Sequence, residues 1–179
     1  MSGHSKWSQI KRQKGANDAA RSAVFGKMAR RITVESKKAE GDITSPSLRA
    51  AVEKAREANM PKENIERAIA KGTSPEASSL ESVVYETYGP GGAAIIIEAL
   101  TDNKNRTSAE IKHTLSKNGL TLAHPGSALW AFDKKNTDYV PKTVMHLSEA
   151  DSAQLTHILD VLDEHGDVEN FYTNTDITT

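Results

Sequence analysis

Hydrophobic residues in the first 75 positions recur with the period of an α-helix. In residues 18–38 four apolar side chains fall within one arc at about 100° per residue, and basic side chains lie opposite. The apolar positions of this helix are Val24, Phe25, Met28 and Ile32. Two shorter apolar patterns follow, in residues 46–60 and 61–71, each beginning at a proline, and Gly72 is expected to stop the last helix. This part of the chain is therefore predicted to be a three-helix bundle.

The period changes after residue 80, where apolar and polar residues alternate as they do in β-strands. The predicted strands are residues 82–88, 93–100, 127–132, 143–147 and 168–172, and the predicted helices are residues 107–118 and 148–166. Thr107 with Glu110, and Ser148 with Asp151, have the spacing of N-terminal capping residues. From residue 93 onward the order is β-α-β-β-α-β, that of a ferredoxin-like sheet, with one extra leading strand. The predicted fold class is thus α+β.

Charge divides the chain at nearly the same point as the change of period. Residues 1–75 hold 16 Lys/Arg and 8 Asp/Glu, a net charge of +8, whereas residues 76–179 hold 7 and 16, a net charge of −9. Residues 73–80 have the composition of a linker. Two domains are expected: a basic helical domain with an N-terminal arm (1–75) and an acidic α/β ferredoxin-like domain (76–179). The net charge of the whole chain, −1, conceals this division.

The basic domain is the candidate for contact with a polyanion, because a net charge of this size attracts phosphate groups at long range. An arm with several cations and a tryptophan suits nucleic acid, since cations follow the phosphates and an aromatic ring stacks on bases. The candidate nucleic-acid-binding residues are Lys6, Trp7, Lys11, Arg12, Lys14, Arg21, Lys27, Arg30, Arg31, Lys37 and Lys38. Packing of Trp7 on the bundle, and a solvated basic face without a partner, are the structural alternatives.

A polar segment between a predicted strand and the following helix is a secondary candidate for anion binding. Helix N-termini bind anions through free N–H groups and the helix dipole. Within residues 101–107, Lys104 and Arg106 add positive charge at this place. A turn followed by a helix cap explains the same residues, so both alternatives stay open.

Other classes of chemistry lack their sequence signatures. The chain has no cysteine, which excludes disulfides, thiolate metal sites and cysteine nucleophiles. None of the six histidines has the spacing of a metal-binding pair, and the glycine-rich residues 89–92 precede no phosphate-binding lysine. We expect no enzyme, no cofactor, no metal site and no small-molecule substrate. No apolar stretch approaches the roughly 20 residues of a membrane span, and no export signal is recognised, so the expected location is the cytoplasm.

Five blocks of residues carry a resemblance to a known family. They are residues 3–7 (GHSKW), 59–69 (NMPKENIERAI), 85–92 (YETYGPGG), 99–107 (ALTDNKNRT) and 139–143 (YVPKT). On these blocks the chain resembles the YebC/PmpR family, whose mitochondrial relative is a translational activator of a cytochrome oxidase subunit. The resemblance extends over almost the whole chain. It has one departure, because only residues 133–138 stand where members usually carry a third, inserted α/β domain.

The resemblance implies a function in gene expression without catalysis. Many members are described as DNA-binding transcriptional regulators, and others act on the ribosome, where they relieve stalling at proline-rich sequences. The implied partner is DNA or, in the ribosome context, rRNA or tRNA. Together with the residues, this predicts a nucleic-acid-binding regulator of the YebC/PmpR type, with transcriptional regulation as the first hypothesis. Ribosome-associated translation control is the alternative, and a protein-interaction adaptor acting through the acidic domain is a further one.

Overall fold

The computed structural model of the chain describes residues 18–75, 80–135 and 138–176. These residues belong to two compact units, which divide between Ser82 and Val83. We call the part before the division the helical unit and the part after it the α/β unit. The predicted domains, 1–75 and 76–179, remain a prediction about which segments fold independently.

The helical unit contains three α-helices, as the apolar period predicts. They are α1 (Asp18–Lys38), α2 (Pro46–Glu57) and α3 (Lys62–Gly72). Their apolar faces share one core of buried side chains, made by Ile32, Leu48, Val52, Ala55, Met60, Ile65 and Ala68. Helix α2 ends at Glu57 rather than near Met60, because Asn59 adopts the left-handed conformation (φ 61°) and turns the chain toward α3.

The contact between α1 and α3 explains Gly72, which was expected to act as a helix stop. Gly72 is instead the last residue of α3, and a Cβ atom there would lie 2.5 Å from Cβ of Ser36 and 2.6 Å from the carbonyl oxygen of Thr33. Two hydroxyls of α1 face α3 at the same contact. Ser36 Oγ donates to the Ile69 carbonyl at 2.8 Å, and the Thr33 hydroxyl shares its proton between the Ala29 carbonyl of α1 at 2.9 Å and the Ala68 carbonyl at 3.1 Å. The glycine is therefore required by close helix packing, and this part of the prediction is corrected.

The α/β unit is built on a three-stranded sheet and a separate two-stranded hairpin. Its strands are β1 (Glu81–Tyr88, which begins just before the division), β2 (Ala94–Thr101), β3 (Phe132–Lys135), β4 (Asp138–Pro141) and β5 (Val168–Thr173), and its helices are α4 (Lys104–Lys117) and α5 (Glu149–Asp163). The sheet has the order β1-β2-β5, and β3 pairs with β4. Strand β2 lies in the centre, and all eight of its residues are buried. It runs antiparallel to β5, with Ile97 opposite Phe171.

Alternate residues of β2 contribute to two different cores, as the two-residue period of a strand requires. Ile95 and Ile97 belong to a cluster with side chains of both helices, among them Ile111, Leu115, Leu155, Ile158 and Leu159. Ala94 and Ile96 belong to a second cluster with Ala128, Phe132, Tyr139 and Tyr172. One face of the sheet is thus covered by α4 and α5, and the other by the β3-β4 hairpin and the turn before it.

The α+β class, the N-terminal helices and the order β-α-β-β-α-β after residue 93 are confirmed, but the strand pairing of a ferredoxin-like sheet is not found. In that plan all four strands share one sheet. Here the leading strand β1 is joined to β2 by a short glycine-rich turn (Pro90–Gly92) and pairs with it. β1 therefore occupies the edge of β2 that a later strand would need, and within the described residues β3 and β4 pair only with each other.

Two strand predictions are wrong. The strand predicted at residues 127–132 is a 3-10 turn (Leu129–Ala131), and β3 begins only at Phe132. The reason is Glu86, whose buried carboxylate accepts the N–H groups of Ala128 and Leu129 that a strand would use for pairing. The strand predicted at residues 143–147 forms a single bridge, between Met145 and Thr175, because the pairing with β3 uses residues 138–141 instead.

Candidate nucleic-acid interface

The basic side of α1 contains the predicted nucleic-acid-binding residues that the structure describes. Lys27, Arg30 and Arg31 are half-buried, and Lys37 and Lys38 are exposed. Val34 lies on the same side of the helix and is 3% exposed. The basic side is therefore open to solvent over part of its length, with its most accessible cations at the C-terminal end of α1.

Two of these cations are held by one buried carboxylate. Glu35 is 3% exposed, and its Oε1 lies 3.4 Å from Nε of Arg31 and 3.2 Å from Nζ of Lys38. A buried carboxylate needs such partners, because an unpaired charge is costly to remove from water. Arg31 and Lys38 therefore have a structural role in α1 in addition to the predicted one.

The other predicted binding residues of the N-terminal arm and of the start of α1 lie where side chains are not described. Lys6, Trp7, Lys11, Arg12 and Lys14 lie outside the described residues. Arg21 is part of α1, but the side chains of this helix are described only from Val24 onward.

Further exposed cations of the helical unit were not in the predicted set. Arg56 lies at the end of α2, and Arg67 and Lys71 lie on α3, all three exposed. The excess of basic residues in 1–75 was the signal that could have found them. The predicted nucleic-acid-binding residues of this unit all lie in residues 1–38, where that excess is greatest.

The polar segment 101–107 forms a helix cap, and the predicted capping pair is wrong. Asn103, not Thr107, is the N-cap of α4, and its Oδ1 accepts the N–H of Arg106 at 3.1 Å. Thr107 is buried inside the first turn of α4, where it donates to Oδ2 of Asp167 at 2.7 Å. Lys104 is exposed at the start of the helix.

Arg106, the second residue of the secondary candidate site, is engaged within the α/β unit. Its Nη2 lies 2.8 Å from Oδ2 of Asp167 and 3.1 Å from Oδ1 of Asp102. Burial raises the pKa of the Asp167 carboxyl, but the hydrogen bonds from Arg106 and Thr107 and the Arg106 charge outweigh it, so this pKa is lowered. Asp167 is thus a carboxylate at neutral pH. An anion at this helix start would compete with it for Arg106.

A group of three potential metal ligands lies beside this ion pair. Oxygen atoms of Glu110 and Asp167 and a ring nitrogen of His165 all lie within 4.8 Å of one another. Nδ1 of His165 accepts the backbone N–H of Asp167 at 3.2 Å, so its Nε2 carries the hydrogen and donates to Glu110 at 3.1 Å. Each of the three side chains therefore has a hydrogen-bonding partner inside the protein.

An exposed aromatic pair in the α/β unit was not predicted from the residues. Trp130 is 65% exposed and Tyr88 is 38% exposed, and the indole Nε1 donates to the Tyr88 hydroxyl at 2.9 Å. Residues 127–132 were predicted to be a strand, and exposure of Trp130 was not part of that prediction. Its exposure follows from the turn at Leu129–Ala131, which depends on a residue more than 40 positions away.

Comparison with known proteins decides the family. A family model described as "TACO1/YebC protein N-terminal domain" matches residues 5–75, and one described as "TACO1/YebC second and third domain" matches residues 80–137. The chain belongs to the TACO1/YebC family. The resemblance found from the sequence is therefore confirmed.

Relatives within the TACO1/YebC family carry the name "Probable transcriptional regulatory protein". The relative from Fervidobacterium nodosum is 54% identical over 137 residues, which are 75% of this chain and 54% of the relative. The relative from Chlorobaculum parvum is 45% identical over 175 residues, 97% of this chain and 69% of the relative. The chain thus spans about half the length of several curated relatives, including 57% of the one from Petrotoga mobilis.

A solved structure has the same fold. The "Conserved Hypothetical Protein Aq1575 from Aquifex Aeolicus" is 27% identical, with a TM-score of 0.79 over 90% of this chain and 93% of that chain. Among the helices that the described residues form, none has the length and hydropathy to cross a membrane.

Proposed function

We propose that this TACO1/YebC chain is a nucleic-acid-binding regulator of gene expression that acts in the cytoplasm through its basic helical domain. The observation that carries the proposal is the division of charge, +8 in residues 1–75 against −9 in the rest. The acidic part repels phosphate, so a polyanion meets the chain on the helical side. The names of the relatives support transcription as the process and DNA as the first partner to test. The proposal involves no catalytic step.

Contacts with the phosphate backbone are expected to supply most of the affinity. The described cations lie along one side of α1, and that side shows no group of Asn or Gln side chains that would recognise base edges. Binding should therefore tolerate different sequences and weaken steeply as salt increases.

The test removes two cations from α1 and two from elsewhere in the same unit. The variant Lys27→Ala/Arg30→Ala should bind duplex DNA more weakly, and its plot of log K against log salt should flatten by up to about two units. Arg31 is left in place because it neutralises the buried Glu35. Binding is measured by fluorescence anisotropy at several salt concentrations.

The matched control is Arg49→Ala/Lys62→Ala, which removes the same charge from exposed ion pairs with Glu53 and Glu66. It should have a smaller effect than the α1 variant. Equal losses in both variants would show that net charge alone, not the basic side of α1, determines binding. No loss in either variant would contradict the proposal.

Translation control on ribosomal RNA is the second candidate function, and the exposed Trp130 favours it, because proteins that bind unpaired RNA stack its bases on aromatic side chains. Sedimentation of a cell extract on a sucrose gradient separates the two candidates. Co-migration with ribosomal subunits that is lost at high salt supports translation. Retention on DNA that is sensitive to DNase, without a ribosomal peak, supports transcription.

A further inference from the structure

The aromatic pair of the α/β unit, Trp130 and Tyr88, is exposed and lies outside the two apolar cores of the unit. Trp130 exposes 65% of its surface, while its neighbours in the chain, Ala131 and Phe132, are buried. Exposure of a large aromatic side chain is informative where the ring is also held in place, because a fixed ring loses little entropy on binding.

Hydrogen bonds fix the indole in this position. Its Nε1 donates to the Tyr88 hydroxyl at 2.9 Å, and this hydroxyl in turn donates to the carbonyl oxygen of Ser127. Trp130 is therefore tied both to the end of strand β1 and to the turn that precedes it. These hydrogen bonds use only the polar atoms at the ring edges, so they do not themselves cover the ring faces.

A buried carboxylate fixes the turn itself. Glu86 is 3% exposed, and its two carboxylate oxygens accept the N–H groups of Gly126 at 2.6 Å, Ala128 at 2.7 Å and Leu129 at 2.9 Å. Charged hydrogen bonds of this kind are among the strongest in proteins. The backbone leading to Trp130 is thus held before any partner binds.

The segment that follows Trp130 in the chain is richer in lysine than the rest of residues 76–179, although it also holds Asp133 and Asp138. Lys134, Lys135 and Lys142 are three of the seven Lys/Arg residues in 76–179, and all are exposed on or next to the β3-β4 hairpin. The backbone N–H of Lys142 donates to the carbonyl of Ala131, the residue after Trp130, at 2.9 Å. Its Nζ lies 3.8 Å from Oδ1 of Asp133, in an exposed ion pair that water screens.

We propose that Trp130 and Tyr88 form a stacking platform for an unpaired base of a single-stranded nucleic acid, with the hairpin lysines contacting the adjoining phosphates. A fixed aromatic ring beside basic side chains is the combination that single-strand-binding proteins use. This inference rests on the proposed function, because it names the form of nucleic acid that the regulator recognises. It adds a second contact, separate from the basic side of α1.

The experiment uses the full chain with Trp7→Phe, so that Trp130 is the one remaining tryptophan. Single-stranded RNA, single-stranded DNA of the same sequence and the corresponding duplex are each titrated. We expect both single strands to quench the Trp130 emission and the duplex to leave it unchanged. A larger effect with RNA or with DNA shows which of the two supplies the base.

Affinities are then measured by anisotropy of labelled strands. Trp130→Ala should weaken single-strand binding about 5- to 100-fold, which corresponds to one stacked base. Trp130→Tyr keeps a stacking ring and should retain most of the affinity, and it shows that the turn still folds. A strand with abasic positions should bind the parent chain as weakly as Trp130→Ala binds the intact strand, and Trp130→Ala should weaken it no further.

The outcomes separate the platform from the proposed function. If Lys27→Ala/Arg30→Ala weakens binding while Trp130→Ala binds single strands within twofold of the parent, the platform is overturned and the proposed function stands. If the chain binds neither single strands nor duplex, both are overturned. If Trp130 emission shifts with protein concentration in the absence of nucleic acid, a second copy of the chain covers the ring, and the platform is overturned.

Discussion

The two units contain buried carboxylates that are equally hidden from water but serve different ends. Glu35 of the helical unit and Glu86 of the α/β unit are each 3% exposed. Glu35 is neutralised by side-chain cations, Arg31 and Lys38, whereas Glu86 accepts three backbone N–H groups. Glu35 therefore pairs with cations that would otherwise face a polyanion. Glu86 instead determines the backbone path of residues 126–129.

The number of charges in each unit is therefore not the number of charges that a partner can reach. In the basic unit, part of the positive charge compensates a buried negative group. In the α/β unit, part of the negative charge accepts hydrogen bonds inside the protein. Glu86 accepts backbone N–H groups, and Asp167 accepts the hydroxyl of Thr107. The two arrangements predict different consequences when each carboxylate is removed.

The largest effect is expected for Glu86. Glu86→Ala leaves three backbone N–H groups without an acceptor, and it should lower the free energy of unfolding by about 3 kcal/mol or more. Urea denaturation followed by circular dichroism measures this change. Nucleic-acid binding through α1 should remain, because the residue lies in the other unit.

Glu81, exposed at the start of the same strand, supplies the matched control. Glu81→Ala should change stability by less than about 0.5 kcal/mol, as is usual for surface substitutions. If Glu86→Ala cost no more than Glu81→Ala, the carboxylate would not be what holds the turn.

A smaller effect on stability, with an effect on binding, is expected for Glu35. Glu35→Gln removes the negative charge that Arg31 and Lys38 share, so stability should fall by about 1–2 kcal/mol. The released cations should tighten binding to duplex DNA. The slope of log K against log salt should steepen by about one unit, which corresponds to one more phosphate contact. Denaturation and anisotropy titrations measure the two changes.

Glu53→Gln is the control for this change, since Glu53 forms an exposed pair with Arg49 on α2. It removes the same charge, but its effect on stability should stay within about 0.5 kcal/mol. Tighter binding in Glu53→Gln as well would assign the gain to net charge. Weaker binding in Glu35→Gln would show that Glu35 positions the α1 cations for their partner.

The smallest effect concerns Asp167 and depends on pH. The lowered pKa of Asp167 means that its ionised form stabilises the fold above the unfolded-state pKa of about 3.9, and this contribution is lost as pH falls through the folded-state pKa. Asp167→Asn should therefore be less stable than the parent at pH 7, by less than about 1 kcal/mol because water screens the half-exposed Arg106.

The difference in unfolding free energy between the parent and Asp167→Asn should stay constant from about pH 7 to 5. It should fall toward zero below about pH 4, where the Asp167 carboxylate becomes protonated. Denaturation curves at a series of pH values measure it. A difference that is unchanged at pH 3 would mean that the Asp167 charge contributes nothing, and that shape or neutral hydrogen bonding alone holds the start of α4.

The accuracy of the sequence predictions followed the range of the interactions involved. The three helices and Ser148 as the N-cap of α5 were predicted well, because each depends on residues within one or two turns of each other. The strand at residues 127–132 and the ferredoxin-like pairing were not, because each depends on residues distant in the chain. Glu86 bonds to Leu129, which is 43 positions away. For the candidate site, the cations of α1 that the structure describes lie on one side of the helix, as predicted, and their role in binding stays a prediction. The shared partner Glu35 and the exposure of Trp130 were not predicted.

The fold class, the order of the elements, the family and the division of charge could be read from the residues alone, since apolar period, residue blocks and charge counts are properties of the chain as written. Which charges compensate each other, and which aromatic ring faces water, depend on the folded molecule. Arg106 is an example, because its partner Asp167 is 61 positions away and no local sequence pattern predicts such a pair. Burial and hydrogen bonding arise from contacts between distant segments, which exist only once the chain has folded.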